Sequence, residues 1–201
     1  MTDTAWTATP TLTGAWVTLR PLDRADRGAI LAAFASGLEN SFATTIPGPD
    51  TIDGWYDRLE RDHAAGRSLP FTVLDRDGTV SGVTRLMRMS RANRRVEIGG
   101  TVYAPRVQRT GLNTEAKLLL LTYAFETLGC QCVQLRTDWL NRQSRRAIER
   151  LGARQDGVLR GHKVFGDRVR DTVVYSILGH EWPGVRRNLT SLLAEHQEAA
   201  I

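Results

Sequence analysis

Lysine is almost missing from this chain of 201 residues: Lys117 and Lys163 are the only two, although lysine and arginine together number 27. Arginine therefore carries the basic charge, and the net balance is +5 at neutral pH. A positive balance makes polyanions natural partners, and guanidinium groups suit bidentate phosphate contact. An arginine-rich genome would leave the same mark. Cysteine is scarce too. Cys130 and Cys132 are separated by a single residue, too close for a disulfide framework, and they read as small buried or half-buried apolar side chains. His63, His162, His180 and His196 are scattered without metal-ligand spacing, so no metal is expected. No apolar run approaches the ~18 residues of a membrane span. The first ten residues lack the basic start and apolar centre of a signal peptide. A cytoplasmic protein with no membrane partner is the expectation.

With 41% apolar and 24% charged residues, the composition is that of an ordinary globular domain. Residues 1–201 read as one domain with a core over about 16–182 and an appended helix at about 182–199. Residues 16–22 form a first strand stopped by Pro21. Asp23 can cap a helix to about Ser36, with Ile30, Leu31 and Phe34 on its apolar stripe. After a Pro/Gly-rich break at 46–50, a second helix carries Ile52, Trp55, Tyr56 and Leu59 and ends near Gly66. Residues 71–74 and 79–89 are hairpin strands about a turn closed by Gly78. Met87 and Met89 share one face of the second of these. A strand at 96–103, a helix at 114–128, a strand at 132–137 and a helix at 142–151 follow. Strands at 157–165 and 169–178 close on a turn at Gly166 and Asp167. Antiparallel hairpins beside one β-α-β unit make a mixed α/β (α+β) fold with a mostly antiparallel sheet of about seven strands.

The junction after the fourth strand carries the most chemistry. Pro105 stops the ladder. Gly111 permits a sharp turn or close approach to a ligand, and Asn113 and Thr114 are helix-capping residue types. A loop feeding a helix start aims unpaired backbone N–H groups at one point, where the helix dipole also favours an anion. Such a point suits a pyrophosphate, although it lacks both a P-loop lysine and the spaced glycines of a dinucleotide fold.

With the preceding strand and with the pattern Asn141-x-x-Ser144-x-x-x-x-Glu149-x-x-Gly152, the region from Trp16 to Trp182 resembles the GCN5-related N-acetyltransferase superfamily. It looks most like the branch that acetylates ribosomal-protein N-termini. Gln108, Gly111 and Asn113 fall on the family's Gln/Arg-x-x-Gly-x-Gly/Ala loop, and Asn113, Thr114, Glu115, Ala116 and Lys117 match a subgroup motif. The resemblance implies the GNAT fold, with splayed fourth and fifth strands, flanking helices and acetyl-CoA as cosubstrate. The cofactor would meet Thr101, Val102 and Tyr103 on the opened strand. It would also meet Gln108, Arg109, Thr110, Gly111, Leu112, Asn113 and Thr114 in the loop, and Asn141 and Arg145 beyond. Gly100 stands where relatives often carry an aromatic after Glu-Ile-Gly, and with Gly99 before it this suits a bulge, a roomier acceptor pocket, or both. Trp55, Tyr56 and Phe42 border the acceptor in relatives. Trp55 and Gly100 are the substrate-side candidates.

Direct transfer from a thioester needs an unprotonated amine and a partner for the leaving thiolate. Glu97 is the candidate base, through a water or directly, and Ser144 the candidate thiolate partner. An exposed Glu97 pairing with an arginine, and helix capping by Asn141 and Ser144, are the structural alternatives. Tyr175 ranks below Ser144. Deprotonating an α-amine at pH 7 costs about 1.4 kcal/mol, against about 4.6 kcal/mol for a lysine side chain, which favours N-terminal or low-pKa amines. Arg142, Arg145, Arg146, Arg150 and Arg154 form a basic cluster open to three readings: CoA phosphate contact, a solvated face, or a nucleic-acid patch, the last ranked lowest. The functional expectation is an N-acetyltransferase acting on a protein N-terminus or a small amine; an acyl-CoA-binding sensor or scaffold without turnover is the alternative. The family often forms homodimers, and Leu189, Leu192 and Leu193 could serve that or the home core.

Overall fold

The computed structural model describes residues 3–35, 38, 46–165 and 167–198; Ser36, Phe42 and Gly166 lie outside them. The chain opens with a 3-10 turn, Asp3–Trp6, and two short strands, β1 (Leu12–Thr13) and β2 (Val17–Pro21). Asp23 caps a further 3-10 turn, Arg24–Asp26, its carboxylate accepting from the Ala25 amide at 2.9 Å, and α1 (Arg27–Ala33) follows. The helix expected from Asp23 is thus a 3-10 turn and a seven-residue helix. α2 (Ile52–Ala64) places Ile52, Trp55, Tyr56 and Leu59 on its buried stripe. β3 (Ser68–Asp75) and β4 (Val80–Ser90) join through a turn at Gly78, whose φ of +76° costs a glycine nothing. β5 (Arg95–Tyr103) completes the meander. α3 (Leu112–Thr122), extended by a π-turn (Tyr123–Thr127), crosses to β6 (Cys132–Asp138). Then come α4 (Arg142–Arg150), the hairpin β7 (Arg154–Phe165) and β8 (Arg168–Leu178), and α5 (Trp182–Glu198).

The sheet order is β1-β2-β3-β4-β5-β6-β8-β7, and every neighbouring pair is antiparallel except β5–β6. That one parallel pair is the crossover through α3. The mixed sheet is the one expected, with β1 as a two-residue eighth strand at the edge. Residues 68–73 of β3 are buried without alternation, the pattern of a strand covered on both faces. In the larger apolar cluster Leu19, Phe71, Leu86, Ile98 and Leu135 pack with Leu120 and Leu121 of α3 and Leu189 of α5. In the second, Val83 and Val102 pack with Ile30 and Phe34 near α1 and Ile52, Trp55 and Tyr56 of α2. Leu192 packs against the larger cluster and Leu193 is buried, so these α5 leucines serve the home core. Cys130 is buried and Cys132 half-buried, both as free thiols. No described helix is long and apolar enough to cross a membrane.

The two methionines of β4 do not share a role. Arg88 between them adopts φ +49°, and the β4–β5 register shifts between Met87 and Ser90. A bulge of this kind breaks the period-two alternation. Met87 lines the central cleft, while Met89 packs against the larger core.

Candidate active site

The ladder between β5 and β6 runs only from Arg95 opposite Cys132 to Ile98 opposite Leu135. Beyond it β6 continues with β8, pairing to Asp138, and β5 continues with β4, pairing to Tyr103. The facing edges of residues 99–103 and 136–138 therefore open into a wedge, the splay expected between these strands. A register shift places Val83 opposite Val102 but Arg85 opposite Gly99, so β5 carries one extra residue there. Gly100 takes φ +59°, and a Cβ on it would stand 2.8 Å from Arg85 Nε. The glycine thus serves both the bulge and the close guanidinium.

Residues of β5 divide between the two sides of the sheet. Glu97, Gly99, Gly100 and Val102 line a cleft of about 370 Å³ together with Trp55 of α2 and His162 and Lys163 of β7. Thr101 is engaged differently, sharing a hydrogen bond with Thr84 (Oγ1–Oγ1 2.8 Å) and accepting from Lys117 Nζ at 3.1 Å. The Tyr103 hydroxyl is buried without a hydrogen-bond partner among the described residues.

Glu97 is 5% exposed at the floor of the cleft. Its Oε2 lies 3.1 Å from Arg88 Nε and 3.2 Å from Arg136 Nε, at ion-pair distance but without hydrogen-bond geometry. Burial raises the proton affinity of this carboxyl above the usual carboxylate range, against the pull of Arg88, Arg136, Lys163 and Arg85. Glu97 thus lies beside two arginines and lines the cleft, buried rather than exposed. His162 bonds through Nδ1 to Thr172 Oγ1 at 3.0 Å, and burial holds its proton affinity below the ordinary imidazole value.

At the loop, α3 begins at Leu112, with Gly111 at the cap position and no side-chain cap. Asn113 and Thr114 are therefore inside the first turn rather than capping it. The first intrahelical bond runs from the Glu115 amide to Gly111 O at 2.9 Å. The amides of Asn113 and Thr114 precede it and have no intrahelical acceptor. The sharp turn falls on Arg109, with φ +63°, and not on Gly111, which is helical at −64°. Gly111 is needed for another reason: a Cβ there would meet the Trp16 ring at 2.8 Å. Gln108 Nε2 donates back to Tyr103 O at 3.3 Å, and Thr110 Oγ1 to Val107 O at 2.8 Å, closing the loop on itself. Arg150, which sequence reasoning placed only in a basic cluster, reaches Thr114 Oγ1 at 3.2 Å beside this turn.

α4 starts where β6 ends. Asn141 is its cap, Oδ1 accepting from the Ser144 amide at 2.9 Å, and Ser144 is half-buried in the first turn. Neither lines the cleft that holds Glu97. Arg145 stacks 4.2 Å above the Trp139 ring and donates from Nε to the Tyr175 hydroxyl at 3.1 Å, which in turn donates to Glu149 at 2.9 Å. Tyr175 is a core residue with a satisfied hydroxyl. Arg154 of the same cluster pairs with Glu181 at 3.1 Å. Among the described residues no cluster of histidine, cysteine and carboxylate side chains could hold a metal ion.

A wedge between parallel neighbours, an anion-ready helix start on one side of it and a carboxylate-floored cleft on the other define an acyltransferase domain. Residues 17–154 match the family described as the acetyltransferase (GNAT) domain, and the chain belongs to that family. It is 31% identical to a GCN5-related N-acetyltransferase from Brucella melitensis, with a TM-score of 0.84 over 92% of this chain and 86% of that one. It is also 34% identical over 108 residues to the protein named "Putative ribosomal N-acetyltransferase YdaF" of Bacillus subtilis (strain 168). That match takes in 54% of this chain and 58% of the relative, little more than half its length. RimJ of Mycobacterium smegmatis, solved in complex with CoA-disulfide, shares the fold at 20% identity, with a TM-score of 0.79 over 92% of this chain and 95% of that one.

Proposed function

We propose that the protein transfers an acetyl group from acetyl-CoA directly to a primary amine, as one cytoplasmic domain and without a metal. The observation that carries this reading is the wedge between β5 and β6, with the α3 start on one side and Glu97 in a cleft on the other. The wedge fits the cosubstrate because backbone groups of residues 99–103 face β6 without ladder partners, as an extended amide chain requires. Asn113 and Thr114 amides, with Arg150 beside them, suit its diphosphate. When bound, the thioester supplies the activated acetyl group.

In this reading the residues of the chain handle one proton and one developing negative charge. Glu97 accepts the proton that the amine sheds as nitrogen bonds to the acetyl carbon and the carbon–sulfur bond breaks, directly or through a water. A carboxyl whose proton affinity is raised by burial is better matched to that task near neutral pH than an ordinary one. Ser144 hydrogen-bonds the sulfur as negative charge develops. Trp55 and Gly100 bound the space in which the amine approaches. The similarity to a protein named as a ribosomal N-acetyltransferase supports a protein N-terminus as one acceptor; a small amine is the other.

Thermal unfolding with acetyl-CoA tests the binding half. A ligand at 100 times its Kd adds about 2.7 kcal/mol, which for a chain of this size raises Tm by roughly 5–10 °C. CoA release with an amine panel tests the transfer half. No shift at millimolar acetyl-CoA overturns the reading. A shift with no release from any amine turns it into a cofactor-binding scaffold.

A further inference from the structure

The cleft that receives the acceptor is overwhelmingly cationic. Arg58, Arg85, Arg88, Arg136, Lys163 and Arg170 line it, and Glu97 is the single carboxylate among its described lining residues. These cations come from α2, β4, β6, β7 and β8, so the sequence scatters what the fold collects. Their internal neutralisation is thin. Arg88 and Arg136 share Glu97. Among the described residues Arg85 has only Asp62 at 3.9 Å, and Arg170 only Asp138 at 3.9 Å, a carboxylate that Arg168 already engages at 2.5 Å. Arg58 and Lys163 form no ion pair among the described residues.

One buried donor sharpens the point. Arg170 Nε is buried without a hydrogen-bond acceptor among the described residues. Buried guanidinium donors left unmatched are costly unless a ligand supplies oxygen atoms. Burial also holds Arg85, Arg170 and Lys163 below their ordinary proton affinities, the mark of crowded, poorly solvated cations. Such an arrangement repels a polyamine, whose every nitrogen is a cation at neutral pH. It suits a planar anion, which several guanidinium groups can bind in bidentate fashion.

We infer that the acceptor is an amine carried on an acidic molecule, with at least one carboxylate close to the reacting nitrogen, and that the cleft cations are its recognition site. The inference rests on Glu97 acting as the base in this same cleft. The acceptor's carboxylate occupies Lys163, Arg170, Arg85 and Arg58, while Arg88 and Arg136 stay with Glu97. Two sources present this chemistry: a peptide whose N-terminus is followed by acidic residues, and a free amino dicarboxylate.

The test uses the full chain saturated with CoA and four probes. These are a tetrapeptide with N-terminal serine followed by two glutamates, the same peptide with two glutamines, free glutamate and free glutamine. Calorimetry should show the acidic peptide or free glutamate binding at least about tenfold more tightly than its amide counterpart, a difference typical of one desolvated charge pair. Lys163→Met should remove most of that preference, and 0.5 M salt should shrink it. The source is whichever acidic probe shows the preference. Equal binding of acidic and amide probes, or a preference that survives Lys163→Met, overturns the inference. CoA release, measured with acetyl-CoA and the same probes, separates this claim from the broader one. Turnover without an acidic preference leaves acetyl transfer standing and removes the anionic acceptor. Acidic binding with no turnover from any amine supports the anion site and removes the base role of Glu97.

Discussion

The Glu115 carboxylate accepts the Trp16 backbone amide at 2.5 Å across a gap of 99 residues. The same group takes the amides of Ala15 at 2.9 Å and Val17 at 3.0 Å. One acidic side chain in the first turn of α3 thereby holds the β1–β2 arm against the helix that carries the anion-ready loop. Gly14 is fitted to this contact, since a Cβ there would meet the carboxylate at 2.3 Å. Glu115 thus has a structural duty that its place in a family motif does not disclose.

Glu115→Ala leaves three amides without their acceptor. The expected loss is about 3 kcal/mol, a fall in Tm of roughly 6–12 °C for a chain of this size. Glu115→Gln keeps one carbonyl oxygen and should recover part of it. Denaturant unfolding of both variants checks this, and an alanine variant as stable as the wild type would remove the tie.

Gly111 and Trp16 should behave as a coupled pair. Gly111→Ala forces a methyl against the Trp16 indole, over which the Arg76 guanidinium lies 3.9 Å from the ring centroid. Overpacking of this kind costs about 1–3 kcal/mol. In a Trp16→Leu background the same alanine should cost much less. A double-mutant cycle reads the difference; strictly additive losses would show that Gly111 is needed for something other than this ring.

Much of this arrangement was legible in the sequence because it is local or periodic. The amphipathic stripe of α2, the Gly78 hairpin, the crossover through α3 and the glycine pair that lets β5 bulge each rest on neighbours a few residues apart. What escaped is made by distant partners. β1 exists as a strand because Leu12 and Thr13 pair with Leu19 and Thr18 in an arm fixed by Glu115. The Arg88 bulge sends Met87 and Met89 to different places through a left-handed residue that is not glycine. The start of α3 moved ahead of Asn113 because Gly111 and Leu112 join the helix without a side-chain cap. At the site, Glu97, Trp55 and Gly100 do meet in one cleft, whereas Ser144 and Asn141 stand apart from it. The six cleft cations, drawn from five elements, carry no mark of proximity in one dimension.

Asn141 and Ser144 can be told apart by what their loss changes. Asn141 Oδ1 caps α4 through the Ser144 amide, so Asn141→Ala should cost about 1 kcal/mol of stability, and Asn141→Asp should restore it. Ser144→Ala keeps that amide and should leave stability within about 0.5 kcal/mol. If the hydroxyl partners the leaving sulfur, kcat should fall about 10–100-fold with acetyl-CoA affinity unchanged. A Ser144→Ala enzyme with undiminished kcat would assign the leaving group to another donor.

Lys117 is fully buried in α3, with Thr101 Oγ1 as its hydrogen-bond partner, and burial lowers its pKa from 10.5 to about 8. The sign follows from proton counting. Between pH 8 and 10.5 the unfolded chain holds this proton and the folded one does not, so stability rises with pH across that window. Below pH 8 the burial penalty is fully present. Lys117→Met should therefore stabilise the protein at pH 7, by about 2 kcal/mol once the lost hydrogen bond is subtracted. That advantage should shrink as pH rises from 8 toward 10.5. Paired unfolding curves at pH 7, 9 and 10.5 measure it; a constant gap, or a less stable variant at pH 7, would mean the ammonium is better solvated than its burial implies.

The pH dependence of transfer tests Glu97 through its neighbours. As a base it must be unprotonated, so kcat/KM falls as pH drops through its folded pKa. Burial moves that acidic limb above the usual carboxylate range. Arg88, 3.1 Å away, opposes the shift by favouring the carboxylate. Arg88→Met should therefore move the limb to higher pH while leaving its shape that of one group. Arg88→Lys, which keeps the charge, should move it less. Glu97→Gln should lower kcat by about 10²–10⁴-fold and abolish the limb altogether, with acetyl-CoA binding retained. A limb that stays in place in Arg88→Met, or persists in Glu97→Gln, would assign the titrating base to another residue. A constant position across all three variants would place it outside this cleft.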